Sequence, residues 1–197
     1  MILVIDNYDS FVHNIARYFE CAGEACTVVR NDKITVQEAE KIDPLAIVIS
    51  PGPCTPKEAG VSVELVKKLG AFTPVFGICL GHQCIGEAFG AKTVRTKPVH
   101  GHASAVTHDG SGIFAGLPGT LNAGRYHSLA TELQSGSPLR VTAQTDDGII
   151  MAMQHGAQPV YGVQFHPESI LTDHGAEMIG NFTAIARRWR ENRKIAA

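Results

Sequence analysis

The chain has 197 residues, of which 44% are hydrophobic and 18% are charged, with a formal net charge of −2. This length favours one folded domain spanning residues 1–197, and so apolar a composition argues against disorder. The charge argues against a nucleic-acid partner. No run of 18 apolar residues and no secretory signal are found, so we expect no membrane partner. Five cysteines without such a signal indicate free thiols and a cytoplasmic location.

Short apolar runs rich in Val and Ile recur through the first 80 residues and predict buried strands. They cover residues 1–5, 26–29, 45–49 and 74–78. Helical patterns fill the gaps between them. The first pattern contains Phe11, Ile15 and Phe19, with Asp9 or Ser10 as the N-cap; a capping box of Thr35 and Glu38 opens the second; the third contains Val61, Leu65 and Leu69.

This alternation predicts an α/β fold with an open, mostly parallel sheet flanked by helices on both faces. The second half of the chain has a different pattern, because residues 91–155 are richer in Gly, Thr, His and Ser. Asp147-Gly148 is typical of a hairpin turn, so we expect added antiparallel strands there. A last strand is predicted at residues 160–165, followed by a terminal helix.

Functional sites of open α/β sheets lie beyond the carboxyl ends of the strands. Gly77-Ile78-Cys79-Leu80-Gly81 follows the fourth strand and has the form of a nucleophile elbow with sulfur in place of oxygen. The N-terminus of the following helix favours a thiolate. We interpret Cys79 as a nucleophile, although a buried structural cysteine after a strand is the plain alternative.

His166-Pro167-Glu168 follows the last strand. Extended backbone places residues i and i+2 on one face, so His166 can serve as the base and Glu168 can orient its imidazole. Acyl transfer also needs backbone N–H groups for an oxyanion. We expect these from Leu80 and from the rigid turn at residues 50–54, although an ordinary Pro/Gly turn explains the latter equally well.

Three motifs together resemble the class I (triad) glutamine amidotransferases. They are Ser-Pro-Gly-Pro at 50–53, Gly-Ile-Cys-Leu-Gly-His-Gln at 77–83 and Gly-Val-Gln-Phe-His-Pro-Glu-Ser at 162–169. Asp-Asn-Tyr-Asp-Ser-Phe at 6–11 and Arg-Tyr-His-Ser-Leu at 125–129 narrow the resemblance. They resemble the glutaminase subunits, or component II, of anthranilate synthase and aminodeoxychorismate synthase. The resemblance implies a flavodoxin-like sheet.

The resemblance also implies roles for individual residues. Cys79, His166 and Glu168 would form the catalytic triad that hydrolyses L-glutamine through a thioester. Gly52 and Leu80 would form the oxyanion hole. The implied substrate-binding residues are Gly52, Pro53, Cys54, Gln83, Ser128 and Leu129. Family members can carry Gly at the position of Cys54, and chorismate-linked members commonly carry Lys at that of His102, so this sequence departs from the pattern at both.

Ammonia released in water is protonated and wasted, so a second site should receive it. The sequence has no phosphate-binding loop or dinucleotide fingerprint, and no metal-ligand set, so we expect no cofactor or metal in this chain. The resemblance implies a separate chorismate-binding synthase, component I, with Mg²⁺ in that partner. Residues 6–11 and 100–104 and the mouth of the elbow are the predicted docking face.

Three alternatives stay open. The chain can be an amidotransferase subunit for another acceptor, a free-standing γ-glutamyl hydrolase, or a non-catalytic regulatory module. The motif at residues 6–11 argues against another acceptor, and the intact triad argues against a non-catalytic module. The motifs do not separate tryptophan from folate synthesis.

Overall fold

The computed structural model describes residues 1–196, and their strands form one sheet in the order β2-β1-β3-β4-β9-β8-β7-β5-β6. The strands are β1 (Ile2–Asp6), β2 (Cys26–Arg30), β3 (Ala46–Ile49), β4 (Val75–Ile78), β5 (Lys92–His108), β6 (Thr120–Glu132), β7 (Leu139–Gln144), β8 (Ile150–His155) and β9 (Val160–Val163). The helices are α1 (Val12–Cys21), α2 (Val36–Ile42), α3 (Ser62–Leu69), α4 (Leu80–Ala88) and α5 (Gly175–Ala196). Short 3₁₀ turns cover Pro56–Glu58 and Gly112–Phe114.

The parallel half of the sheet contains β2, β1, β3, β4 and β9. Successive residues of β1 alternate between two apolar cores: Ile2 and Val4 pack with α1 and α5, while Leu3 and Ile5 pack with α2, α3 and α4. Both faces of the central strands are therefore covered, which is why β1, β3 and β4 are almost continuously buried, whereas the edge strand β2 is only partly buried. The predicted open α/β sheet is confirmed.

The antiparallel half begins at β8, which pairs with β9. The predicted turn at Asp147-Gly148 joins β7 to β8, as expected. The sequence did not indicate the long hairpin of β5 and β6, whose pairing is irregular between Arg95 and Val99 and between His100 and His102. Since β6 is at the sheet edge, one row of its backbone groups takes no part in strand pairing.

Two local predictions are wrong. Neither Asp9 nor Ser10 is the N-cap of α1: Phe11 takes that position, and the Asp9 carboxylate accepts a hydrogen bond from its N–H. Phe11 also does not continue the buried stripe of Ile15 and Phe19, because its side chain is 61% exposed. Phe11 lies at the N-cap, before the first helical residue, so its side chain does not follow the helical periodicity that buries Ile15 and Phe19. By contrast, the capping box of α2 is present as predicted.

No helix within residues 1–196 combines the length and the apolar character that crossing a membrane requires.

Candidate active site

The turn between β4 and α4 presents Cys79 at the carboxyl edge of the sheet. Cys79 has φ 52° and ψ −101°, a backbone conformation that is unusual for a residue with a side chain. Both flanking glycines are required sterically. A Cβ on Gly77 would lie 2.4 Å from the carbonyl oxygen of Gly81, and one on Gly81 would lie 2.2 Å from that of Ile49. The predicted sharp elbow is therefore present, and its cysteine is held in a strained conformation.

His166 and Glu168 contact each other directly. The Nδ1 of His166 lies 2.7 Å from the Oε1 of Glu168, and both residues are buried. They lie in a turn, not in an extended strand as predicted, because β9 ends at Val163. The Thr172 hydroxyl donates a 2.6 Å hydrogen bond to the His166 carbonyl oxygen and stabilises that turn.

The charge state of His166 follows from its neighbours. Burial lowers its pKa, but the sulfur of Cys79 and the carboxylate of Glu168 outweigh burial and raise the pKa to about 10. The Nε2 atom is buried and forms no hydrogen bond within residues 1–196. This nitrogen is therefore free to contact a molecule bound beside Cys79. An imidazolium here can release a proton from Nε2 to a bound molecule.

The turn at residues 50–54 is anchored to the end of β1 by a buried polar network. Ser50 Oγ accepts from the N–H of Asn7, and the Asn7 amide donates to the Ser50 carbonyl oxygen, both at 2.9 Å. The Asn7 amide oxygen accepts from Asn31 and from Ser62. Gly52 lies so close that a Cβ would approach the Asn7 carbonyl oxygen to 2.5 Å. The predicted oxyanion turn is thus fixed in place beside Leu80.

Cys54 adopts a left-handed conformation, with φ 69°, and its side chain is exposed. This geometry gives a physical reason why glycine suits the position. We expect Cys54→Gly to raise the free energy of unfolding by about 0.5–1 kcal/mol, after allowance for the greater entropy of an unfolded glycine. Denaturant unfolding measures this. Cys54→Ala keeps the strained conformation and should show no gain; an equal gain in both variants would contradict the prediction.

Gln83, Ser128 and Leu129, which the resemblance assigns to substrate binding, line the same cavity. The Gln83 amide nitrogen lies 3.5 Å from the Leu129 carbonyl oxygen. Ser128 and Leu129 belong to the edge strand β6. His127 fixes that segment: its Nδ1 lies 2.8 Å from the Leu129 carbonyl oxygen, and its Nε2 accepts from Arg125. Burial lowers the pKa of His127 to about 4, so this ring is neutral and donates from Nδ1.

Two cavities meet at Cys79. The smaller one, about 210 Å³, is lined by Gly52, Pro53, Cys54, Cys79, Leu80, Gln83, Tyr126, His127, Ser128 and Leu129. This set contains every residue that the sequence predicted for the oxyanion hole and for substrate binding. The larger one, about 740 Å³, includes His166, Glu168 and the predicted docking segment around Tyr8 and Phe11. Cys79, Gly52, Pro53 and Tyr126 line both.

Three residues near the site were missed by sequence reasoning. The Tyr126 ring packs edge-on against His166, with centroids 5.1 Å apart. The Asn14 amide donates to the Glu168 carbonyl oxygen at 3.0 Å. The Gln164 amide lies 3.5 Å from the sulfur of Cys79. Tyr126 and Gln164 each lie within a motif, at 125–129 and 162–169, but the motif assigned no role to either side chain, and Asn14 carries no signal in the sequence.

Buried His82 makes stability dependent on pH. Burial lowers its pKa to about 4, against about 6.5 when unfolded. Below pH 6.5 the unfolded chain binds a proton on this histidine and the folded chain does not. The contribution of His82 to the free energy of unfolding is therefore full above pH 6.5 and is lost as the pH falls towards 4. We expect a loss on the order of 3 kcal/mol.

Denaturant unfolding between pH 7 and pH 4 tests this expectation. His82→Leu should make the dependence shallower without removing a hydrogen bond, since neither ring nitrogen has a partner in the described chain. The remaining slope is expected from His127, whose pKa burial also lowers to about 4. His13→Leu, at an exposed histidine of α1, is the control. Parallel curves for the wild type and His82→Leu would contradict the assignment.

The α/β fold, the strained cysteine elbow and the adjoining His–Glu pair together define the architecture of a cysteine-dependent amidotransferase. Comparison with known proteins gives the family. The model for glutamine amidotransferase class-I matches residues 3–186, and the chain belongs to that family.

Curated relatives carry the chorismate-linked names. The chain is 50% identical over 190 residues to aminodeoxychorismate/anthranilate synthase component 2 of Bacillus subtilis, covering 95% of this chain and 98% of the relative. It is 46% identical to aminodeoxychorismate synthase component 2 of Escherichia coli, over 92% and 98% of the two chains. A solved structure from Thermoplasma acidophilum, provisionally assigned to a GMP synthase, has a TM-score of 0.87 at 28% identity, covering 98% and 96%.

Proposed function

We propose that this chain is a glutaminase subunit that hydrolyses L-glutamine and delivers ammonia to a separate chorismate-using synthase. The observation that carries the proposal is the meeting of two cavities at Cys79. One has the size of a small amino acid, well below the roughly 300–1,000 Å³ of drug-sized sites. The other opens towards the predicted docking segment, so substrate and product have separate routes.

The first half of the reaction acylates the enzyme. The thiolate of Cys79 attacks the side-chain carboxamide carbon, and the N–H groups of Gly52 and Leu80 stabilise the oxyanion. The N–H of Leu80 suits this role because it is in the first turn of α4 and has no partner inside the helix. The imidazolium of His166 then gives its Nε2 proton to the leaving nitrogen. The C–N bond breaks, and ammonia and a γ-glutamyl thioester result.

The second half releases glutamate. The now neutral His166 takes a proton from water, and the resulting hydroxide attacks the thioester carbonyl carbon. The C–S bond breaks, Cys79 returns as a thiolate and His166 as an imidazolium. Glu168 accepts the Nδ1 hydrogen bond throughout, so it keeps Nε2 directed at the reacting atoms.

The synthase partner, its Mg²⁺ and a cytoplasmic setting belong to the same proposal. The relatives named as component 2 of chorismate-using enzymes support the partner. All five cysteines are free, which supports a reducing compartment. No cofactor is proposed for this chain itself.

Exposed apolar side chains surround the larger cavity and favour it as the docking face. Phe11 is 61% exposed and Ile170 is 99% exposed. We expect the double substitution Phe11→Asp and Ile170→Asp to weaken synthase binding at least tenfold, because two apolar anchors would be replaced by charges. Phe72→Asp is the matched control, since Phe72 is 58% exposed but does not line this cavity.

Size-exclusion chromatography at micromolar concentrations, followed by titration, measures the binding. Equal losses in the double variant and in Phe72→Asp would place the interface elsewhere. No shift with any chorismate-using synthase would count against the partner itself.

The decisive experiment mixes the chain with each of the two synthases, glutamine, chorismate and Mg²⁺, and identifies the aromatic product. Anthranilate alone assigns the chain to tryptophan synthesis, aminodeoxychorismate alone to folate synthesis, and both products to a shared subunit. Glutamine hydrolysis without either product would refute the acceptor and leave the triad intact.

Assays of the same kind, with other acceptor synthases or other substrates, distinguish the alternatives. The similarity to a protein assigned to GMP synthase makes another acceptor the next candidate, and a screen of acceptor synthases would show it. Hydrolysis of γ-glutamyl conjugates without any partner would indicate a free-standing hydrolase. No turnover in any mixture would indicate a regulatory module.

A further inference from the structure

A buried amide connects the sulfur of Cys79 with the glutamine cavity. Gln164 is 0% exposed, and its Nε2 lies 3.5 Å from Cys79 Sγ. We propose that Gln164 is a positioning residue that directs an N–H group at the sulfur and thereby favours the thiolate. The proposal deepens the proposed function and rests on it, because a thiolate is the form of Cys79 that attacks glutamine.

The direction of the amide follows from its neighbours. A side-chain amide can present either its oxygen or its nitrogen to a contact, so a second contact must determine which atom faces the sulfur. Gln83 determines the orientation of the Gln164 amide, because its Nε2 lies 3.1 Å from the Oε1 of Gln164 and donates to it. With its oxygen engaged there, Gln164 has only its nitrogen to present to Cys79.

Gln83 is oriented in turn by a backbone carbonyl. Its Nε2 also lies 3.5 Å from the carbonyl oxygen of Leu129, which can only accept. The two hydrogens of the Gln83 amide are therefore both used, one on each oxygen. A fixed acceptor in β6 thus determines that a donor faces the sulfur.

Arg125 and His127 hold that carbonyl in place. The guanidinium of Arg125 can only donate, so the Nε2 of His127 must accept. The His127 proton is consequently on Nδ1, 2.8 Å from the Leu129 carbonyl oxygen. The Leu129 carbonyl oxygen therefore accepts from both His127 and Gln83. From Gln83 onward, donation runs through Gln164 to the sulfur, and part of this polar chain lines the glutamine cavity.

Burial strengthens the effect at the sulfur. A hydrogen bond to an ionised group is about twice as strong as one between neutral groups, and more so away from water. The remaining titratable groups around the Cys79–His166 pair come from several elements. They are Glu168 after β9, Asp9 after β1, His82 in α4, and His127 with Arg125 in β6.

The test compares the wild type with Gln164→Leu, which removes the donor, and Gln164→Glu, which keeps the shape but offers a carboxylate. Iodoacetamide labels the full-length chain across a pH series, and peptide mass spectrometry reports Cys79 separately from the exposed Cys21 and Cys54. We expect the pH midpoint of Cys79 alkylation to rise by about one unit in Gln164→Leu, with a roughly tenfold slower reaction below it. The rise should be larger in Gln164→Glu, and kcat should fall with it.

Thr183→Val is the matched control, because it also removes a buried hydrogen bond, to Ile179, but in α5. It should leave the alkylation midpoint unchanged. Gln83→Leu provides a second route if a Gln164 variant does not fold, since it frees the Gln164 amide without touching the sulfur. It should raise the midpoint by a smaller amount.

An unchanged midpoint in a folded Gln164→Leu chain would overturn the inference, and so would an equal rise in Thr183→Val. Alkylation does not consume glutamine, so this outcome is independent of the proposed activity. A raised midpoint in a chain that never hydrolyses glutamine would support the role of Gln164 and refute the proposed function instead.

Discussion

Cys79→Ala should reduce glutamine hydrolysis by at least about 10⁴-fold, because no other group can form the thioester. The same variant should still support synthesis by the chorismate-using partner when ammonium salts replace glutamine. Ammonia then reaches the acceptor from solution, and the folded chain remains bound. The ammonium assay shows that the acceptor reaction is intact, and co-elution of the variant with the synthase in size-exclusion chromatography separates lost chemistry from lost assembly.

Cys84→Ala is the control for the thiol itself. Cys84 is in the same helix, α4, five residues after Cys79, and it is fully buried. Burial raises the pKa of the Cys84 thiol far above its usual range, so it is not a nucleophile. Glutamine turnover that survives in Cys79→Ala would overturn the proposed mechanism. Loss of co-elution with the synthase would show that the substitution disturbs docking.

Glu168→Gln should lower kcat for glutamine by about 10²–10⁴-fold with a smaller change in KM. The carboxylate holds the Nδ1 of His166 at 2.7 Å and stabilises the imidazolium that donates to the leaving nitrogen. An amide of the same shape supplies no charge, and it can rotate to present a donor. The substitution therefore removes orientation and electrostatic support while it preserves volume.

The pH dependence of this variant has a definite sign. The Glu168 carboxylate helps to raise the pKa of His166 to about 10, so its loss lowers that pKa. The imidazolium is then lost at lower pH, and the alkaline limb of the pH–kcat profile should move to lower pH. A limb that stays in place would mean that another group sets it.

Glu177→Gln is a matched control for this prediction. Glu177 also pairs with a histidine, His174, at 3.1 Å, but this pair lies on the surface. The variant should keep the activity and the pH profile of the wild type. A comparable loss in both variants would indicate a general effect of charge rather than the buried pair.

The sequence predicted most of the fold because buried parallel strands are apolar on both faces. The four runs in the first 80 residues lie within one or two residues of β1, β2, β3 and β4. The capping box of Thr35 and Glu38 is local, so it too was visible. The start of α1 could not be predicted, since two adjacent polar residues were equally suitable N-caps. Phe11 is itself the N-cap, and its side chain does not lie on the buried face of the helix.

The candidate site divides in the same way. Motif residues that follow strand ends were predicted from sequence, because the topology of an open sheet brings those ends together. The positions of Tyr126, Asn14 and Gln164 depend on contacts between elements far apart in the chain. Asn14 and Glu168, for example, are separated by 154 residues. The periodic pattern of apolar residues in the sequence does not predict a contact between such distant positions.

The sequence by itself determined the parallel half of the sheet, the elbow and the identity of the triad candidates, since strand hydrophobicity and turn stereochemistry are local properties. Only the tertiary structure decided that Cys79 lies between two cavities and that His166 and Glu168 meet through a turn. It also decided that a buried chain of amides ends at the sulfur. These features arise from packing across the sheet edge, where direction and distance depend on the whole fold.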